Sequence, residues 1–178
     1  ILVDRVENAK ESQEDAQEQF SSALEAFSAA VAFDGGELEE VYDRLNGQYE
    51  DSVAASEEVS ARIDKVESVA EALFDEWSEE LDKYENASLK RDSAAKLRET
   101  QRRYTSLMKA MRKAESKMPP VLNALQDNVL YLKHNLNASA IGALQGELST
   151  IENNVAQLIG QMNSAIAESD AFIASMKN

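Results

Sequence analysis

The chain has 178 residues, with 33 acidic and 18 basic side chains that give a formal net charge of −15. It contains no Cys, one His, six Gly and two Pro. The lack of Cys excludes disulfide scaffolds and thiolate metal sites, and a single His cannot supply a multi-histidine metal centre. So acidic a chain is unsuited to general nucleic-acid binding, and so few turn residues argue against an all-β fold.

The first predicted helix covers residues 1–33, where a weak apolar stripe repeats at helical spacing. It ends at Asp34-Gly35-Gly36, because glycine readily adopts the backbone conformation that terminates a helix. Glutamates crowd the start of the next segment, where the helix dipole favours negative charge. The sequence therefore predicts a tight turn and a second helix that begins at Glu37.

The second predicted helix covers residues 37–85 and carries a seam of the coiled-coil type. Its seam positions alternate steps of four and three residues, which is the 3.5-residue repeat of packed helices. The turn that follows has Ser88 as its expected N-cap. The seam consists of Leu38, Tyr42, Leu45, Tyr49, Ser52, Ser56, Val59, Ile63, Val66, Ala70, Leu73, Trp77, Glu80 and Tyr84.

Two further helices are predicted, over residues 89–134 and 138–176. The third helix keeps its apolar phase from Leu97 to Leu136 through Pro119-Pro120, although a proline pair interrupts helical hydrogen bonds. An unbroken phase indicates one helix with a kink at the prolines rather than a chain reversal. The fourth helix repeats apolar residues in steps of three and four, which again indicates a buried seam.

The helix lengths predict the overall shape. At about 1.5 Å per residue, the second and third helices match at roughly 70 Å, and short turns make neighbours antiparallel. Folding them about Asn86-Ala87 pairs residues whose numbers add to about 173. The shorter outer helices then reach only to Val69 and Arg98, so residues 70–98 protrude. We predict an all-α fold with a single elongated domain, 1–178: an antiparallel coiled-coil bundle of four long helices whose second and third helices protrude as a two-helix tip.

Charge is divided unevenly along the chain. Residues 1–86 hold 25 acids and 6 bases, whereas residues 87–118 hold 3 acids and 10 bases. Charge complementarity of this kind sets partner and direction between packed helices. We therefore expect the basic run to pair with the second helix, while bases that point away from it stay free for an anionic surface. The acids expected opposite the run are Glu67, Glu71, Asp75, Glu76, Glu79 and Glu80.

The predicted tip carries the main candidate site. A Phe, a Trp, a Leu and a Tyr fall on adjacent turns of a stretch where only two helices pack together. They form the seam of the hairpin, but a two-helix seam covers little surface, so part of each ring is expected to stay exposed. Two bases lie just across the turn. The candidate partner or membrane tip consists of Phe74, Trp77, Leu81, Tyr84, Lys90 and Arg91.

Four strings along the chain are distinctive: ILVDRVE at residues 1–7, FDGGEL at 33–38, EALFDEW at 71–77 and LKHNLNA at 132–138. Together they resemble an uncharacterised bacterial envelope family, domain of unknown function 2959, along essentially the whole chain. Its members are proteobacterial, and many begin with a secretion signal, often of lipoprotein type. The resemblance therefore implies a periplasmic or membrane-anchored location, and it implies no catalytic or binding residues.

No catalytic triad, phosphate-binding loop or convergent carboxylate pair is visible, and a narrow bundle offers no cleft of the size that ligands need. We therefore expect no enzymatic activity, no cofactor and no bound metal. These features favour a structural or protein-interaction module, and the family resemblance implies that it belongs to the bacterial cell envelope. The alternative is a peripheral membrane-binding coiled-coil protein that uses the basic and aromatic tip. The expected partner is an unidentified protein or a membrane surface and not a nucleic acid, and both a monomer and a homodimer are compatible with the sequence.

Overall fold

The computed structural model describes residues 1–33 and 35–177, which form five α-helices. Asp34, part of the predicted first turn, and Asn178, the last residue of the predicted domain, lie outside the described residues. No described residue lies in a strand, so the predicted all-α fold is confirmed. The helices are α1 (Leu2–Val31), α2 (Leu38–Leu81), α3 (Ala87–Glu115), α4 (Met118–His134) and α5 (Ala138–Lys177).

The helix predicted over residues 89–134 is present as α3 and α4, which continue one another across a bend. Ser116 and Lys117 form a turn between them, and Pro119 and Pro120 lie in the first turn of α4. A proline donates no backbone hydrogen bond, and its ring clashes with the carbonyl four residues earlier, so the helix opens just before the pair. The first turn of a helix tolerates both prolines. The predicted kink is confirmed, and its break lies at Ser116 and Lys117.

The turn between α2 and α3 begins earlier than the sequence predicts. The helix α2 ends four residues before residue 85, and α3 begins at Ala87 rather than at residue 89. The N-cap is Asn86, whose Oδ1 accepts a hydrogen bond from the Leu89 N–H at 3.0 Å. Ser88, the expected N-cap, lies inside the first turn instead. An Asn oxygen satisfies the free N–H groups of a first turn as well as a Ser oxygen does, so either residue fitted the pattern.

The helices pack in an antiparallel ring. The helix α1 lies between α2 and α5, and the bent α3–α4 pair lies between the same two helices on the other side. Polar contacts between neighbouring helices show how the helices are aligned. Gln19 Nε2 donates to Ser52 Oγ at 3.2 Å between α1 and α2, and Lys10 Nζ lies 2.6 Å from Asp170 Oδ1 between α1 and α5. The start of α1 and the end of α5 therefore lie at the same end of the bundle.

The core of the bundle is built from the predicted seams. Phe27 of α1, Ile63 of α2 and Met111 of α3 are fully buried, and burial of each such side chain stabilises the fold by about 1.5–3 kcal/mol. Two apolar residues of the predicted seams are exposed instead. Tyr84 and Leu136 expose 41% and 46% of their surface, because α2 and α4 end before reaching them. None of the described helices combines the length and the apolarity that crossing a membrane requires.

One buried residue is unlike the rest of this core. Gln13 has no solvent exposure, and neither its Oε1 nor its Nε2 has a hydrogen-bond partner among the described residues. One turn further on, Gln17 Nε2 donates to Asn163 Oδ1 at 2.7 Å and to the Ile159 carbonyl at 3.3 Å. A buried polar group without a partner costs about 1–3 kcal/mol of stability. Gln13 is therefore a weak point of the interior, because the other buried polar side chains are hydrogen-bonded.

We predict that Gln13→Leu raises the free energy of unfolding by about 1–3 kcal/mol, because it removes the unpaired amide and nearly keeps the side-chain volume. Urea unfolding followed by circular dichroism measures the change. The matched control is Gln17→Leu, which breaks two hydrogen bonds and is expected to bring no such gain. A Gln13→Leu protein less stable than the wild type contradicts the prediction and shows that the amide is paired in solution.

Candidate interaction tip

Near the start of α1 and the last turns of α5, the bundle thins to α2 and α3, which continue as a hairpin. Ala70 on α2 and Leu97 on α3 are the last buried residues before the turn, and no residue between them is buried. We call residues 71–96 the tip. The predicted two-helix protrusion is confirmed, and its apolar side chains are covered mainly by the neighbouring helix of the hairpin.

Phe74 packs the base of the tip against α3. Its ring meets the Tyr104 ring edge to face, with centroids 5.3 Å apart and an interplanar angle of 72°, an arrangement that aromatic pairs prefer. Burial raises the pKa of the Tyr104 hydroxyl to about 12, and the carboxylates of Glu67 and Glu71 add to the effect. Phe74 is half-buried, so its main role is to hold the two helices of the hairpin together.

Trp77, one turn nearer the end of the tip, is also half-buried. Its indole Nε1 donates a hydrogen bond to Ser93 Oγ at 2.8 Å, which ties α2 to α3. The residue also lines an open groove of about 530 Å³ between α3 and the last turns of α5, together with Lys96, Thr100 and Met176. Trp77 therefore has two roles: one part of the residue fixes the hairpin and another remains accessible from the groove.

The end of the tip carries its most exposed apolar residues. Leu81 is half-buried, whereas Tyr84 and Leu89 expose 41% and 57% of their surface on either side of the turn. The predicted bases Lys90 and Arg91 are exposed next to Leu89. Sequence reasoning did not single out Leu89, because the hairpin register places it opposite Tyr84, inside the seam. The signal that could have identified Leu89 is the position of Tyr84 and Leu89 next to the turn, where the seam between the two helices ends.

Among the described residues, one base of the α3 run forms ion pairs with α2. Arg112 Nη2 lies 3.0 Å from Asp64 Oδ1 and 2.7 Å from Glu67 Oε2. Arg102 instead pairs within α3 and lowers the pKa of the Glu99 carboxyl to about 2. The expected pairing is therefore right for Glu67 and wrong for the rest, because most bases of α3 point outward. Among the described residues, these expected acids form no ion pair with α3: Glu71, Asp75, Glu76, Glu79 and Glu80.

We predict that the protein loses stability through Tyr104 as the pH rises above 10. The pKa of this hydroxyl is 10.0 in an ordinary environment and about 12 in the folded protein. The unfolded chain therefore releases the proton first, and the contribution present below about pH 10 is lost between about pH 10 and about pH 12. Urea midpoints across this range measure the loss. Tyr104→Phe keeps the ring contact with Phe74 and should show a flatter profile, and identical profiles for the two proteins contradict the prediction.

A family model with the description "Protein of unknown function (DUF2959)" matches residues 1–176 of the 178-residue chain. The chain therefore belongs to this family, in agreement with the resemblance of its four distinctive strings. No curated protein matches the chain. The family description names no activity, and the tip is the feature from which a function can be inferred.

Proposed function

We propose that this member of the DUF2959 family is a non-enzymatic protein-interaction module of the bacterial cell envelope and that it holds a partner protein with its tip. The observation that carries the proposal is the exposed apolar pair Tyr84 and Leu89 at the end of a helical hairpin. Exposed apolar residues grouped in this way are typical of binding sites, and Tyr is among the residues that contribute most to binding energy.

The contacts below this pair support a binding role because they fix the hairpin in advance. The Phe74–Tyr104 ring contact and the Trp77–Ser93 hydrogen bond join α2 to α3 at two successive levels. A surface that is ordered before its partner arrives loses less conformational entropy on binding. The six predicted tip residues therefore divide by role. Phe74 and Trp77 are supports, Leu81 is half-buried between the two groups, and Tyr84, Lys90 and Arg91 lie at the surface.

The character of the buried polar groups supports a non-enzymatic role. They are hydroxyls and amides, which do not ionise near neutral pH. The pKa shift of Glu99 arises from a salt bridge with Arg102 on the surface of α3, and such ion-pair networks shift pKa values for structural reasons. The buried polar residues are Ser12, Gln13, Ser52, Asn128 and Ser169.

The proposed envelope location rests on the family resemblance, and the cysteine-free sequence makes it easy to test. We predict that Glu85→Cys in the full-length protein reacts with a membrane-impermeant maleimide in cells whose outer membrane alone has been permeabilised. Glu85 is exposed at the end of the tip, so the new thiol is accessible. A cysteine-containing cytosolic protein in the same cells serves as the control and should stay unlabelled. Labelling of the tip only after lysis contradicts the envelope location.

A second candidate function, binding to an anionic membrane surface, is favoured by the exposed bases Lys90 and Arg91 beside Leu89. Aromatic residues and bases are common where proteins meet lipid headgroups. The acids Asp82 and Glu85 lie at the same end of the tip and oppose this binding by charge repulsion. A protein partner is therefore the first choice, and the experiment below separates the two.

We predict that a photo-reactive amino acid at position 84 of the full-length protein crosslinks to a discrete protein in cells. Leu89→Ser should reduce the yield at least about tenfold, since loss of a central apolar contact costs 1.4 kcal/mol or more at binding hot spots. The chain provides a matched control at the opposite end, where Leu130 and Tyr131 are exposed to a similar extent.

The control should give two negative results. Position 131 should yield no discrete product, and Leu130→Ser should leave the yield at position 84 unchanged. Crosslinks from position 84 to lipid alone, together with co-sedimentation on phosphatidylglycerol vesicles, would support the membrane candidate instead. Equal products from positions 84 and 131 would contradict a specific role for the tip.

A further inference from the structure

Two rows of opposite charge run side by side along the hairpin. Four exposed bases of α3 are spaced by seven, four and seven residues, and four exposed acids along α2 have the same spacing in the opposite chain direction. At 3.6 residues per turn, this spacing keeps each row within about 40° on one face of its helix. The base row is Arg91, Arg98, Arg102 and Lys109, and the acid row is Asp82, Asp75, Glu71 and Asp64.

The two rows lie level with each other along the rod. Taken in order, each acid and its matching base have residue numbers that add to 173. In an antiparallel hairpin, residues whose numbers have the same sum lie opposite each other, so each acid is level with its base. Contacts between α2 and α3 bracket this value. The Trp77–Ser93 hydrogen bond corresponds to a sum of 170, and the Asp64–Arg112 ion pair corresponds to 176.

The matched acids and bases do not neutralise each other within one molecule. Among the described residues, none of the four pairs is an ion pair: Arg102 binds Glu99, Asp64 binds Arg112, and the other members of the rows have no ion-pair partner. The side chains of both rows are exposed. The α2–α3 side of the molecule therefore presents a face, here called the charged face, that is negative along one helix and positive along the other.

We propose that the charged face binds a second copy of this chain, with α2 of one copy against α3 of the other. A two-fold axis parallel to the rod brings each acid row onto the base row of the other copy at the same height. A two-fold axis across the rod brings like charges together, which costs energy. The charge pattern therefore selects the parallel arrangement. This inference rests on the proposed function, in that it takes the protein to be an interaction module and names one of its partners.

The size of the charged face fits a weak, specific dimer. Each row covers 19 residues, 64–82 or 91–109, and its ends are about 27 Å apart along the helix. Two helices each about 10 Å wide then bury roughly 500 Å² per copy, or about 1,000 Å² in total, at the lower limit of specific interfaces. Small exposed residues on the same elements, among them Ala72 and Ala95, allow the helices to approach closely.

The pattern fits a second copy better than it fits a uniformly charged surface. An anionic membrane attracts the base row but repels the acid row. The two rows lie about 10 Å apart, which does not exceed the Debye length at about 0.1 M salt, so the membrane acts on both rows. A two-fold contact requires a self-complementary patch, and adjacent rows of opposite sign meet that requirement.

The test reverses two matched positions of each row separately in the full chain. Arg98→Glu with Arg102→Glu makes the charged face net negative, and Glu71→Lys with Asp75→Lys, at the two positions level with these, makes it net positive. Each double variant should dimerise at least about tenfold more weakly than the wild type in sedimentation at low salt, since like charges oppose each other in both halves of the contact. An equimolar mixture of the two variants should restore a 1:1 dimer.

Arg44→Glu with Lys133→Glu is the matched control for the base-row variant, because it makes the same change in net charge at exposed positions outside the rows. This control should dimerise like the wild type, and circular dichroism should show the same helicity for all four proteins. Wild-type dimers should dissociate when the salt concentration rises from about 0.01 M to about 1 M, since the Debye length falls from about 30 Å to about 3 Å.

A wild-type monomer at low salt, a dimer insensitive to both reversals, or a mixture that fails to re-form the dimer would overturn the proposal. Vesicle binding that is lost only on reversal of the base row, with a monomeric wild type, would assign this row to membranes and also overturn it. The outcome at position 84 is independent of these results. A reversible dimer with no crosslinked partner at position 84 supports this inference and contradicts the proposed function. A crosslinked partner at position 84 together with a monomeric protein supports the proposed function and contradicts this inference.

Discussion

The mismatch in helix length is the constraint on which the rest of this structure depends. The helix α2 has 44 residues, whereas its neighbour α1 has only 30, so α2 extends beyond α1. As far as Ala70, α2 is covered by helices on both sides, and its inward residues include the fully buried Val59, Ile63 and Ala70. Beyond Ala70 the same apolar repeat continues, but the cover is mainly α3. The half-buried Trp77 and the exposed Tyr84 are thus consequences of where α1 and α5 stop, and not of a change in the sequence pattern.

This dependence explains how much of the fold could be predicted. The 3.5-residue repeat identifies helices and seams directly, and the near-equal lengths of the second and third segments set the hairpin register. Helix ends are harder to predict, because capping by Asn86 or by Ser88 satisfies the same rule. The error of a few residues at the end of α2 matters most at the tip, where it leaves Tyr84 and Leu89 outside the seam.

Charge was predicted less well than apolar packing, for a physical reason. A seam residue must face the partner helix to be buried at all, but a long charged side chain can sit on any outward face and remain solvated. Arg112 points toward α2 and forms ion pairs there, while Arg102, at an outward position, pairs with Glu99 on its own helix. The antiparallel register and the matching spacing of the two rows could be read from the sequence. Whether the two rows pair with each other within one molecule could not, and the exposed, mutually unpaired side chains of the structure answer that question.

In the proposed dimer, the tip and the charged face combine in one assembly, and the two proposed contacts act on different scales. The contact at Tyr84 and Leu89 is small and apolar, whereas the charged face is long and polar, and the two respond differently to salt. A dimer with its two-fold axis along the rod points both tips in the same direction. Two weak apolar contacts presented together then bind a multivalent partner with an effective concentration that one tip alone does not supply. Because ion pairs on the surface are weak, the strength of that double contact follows the ionic strength around the protein.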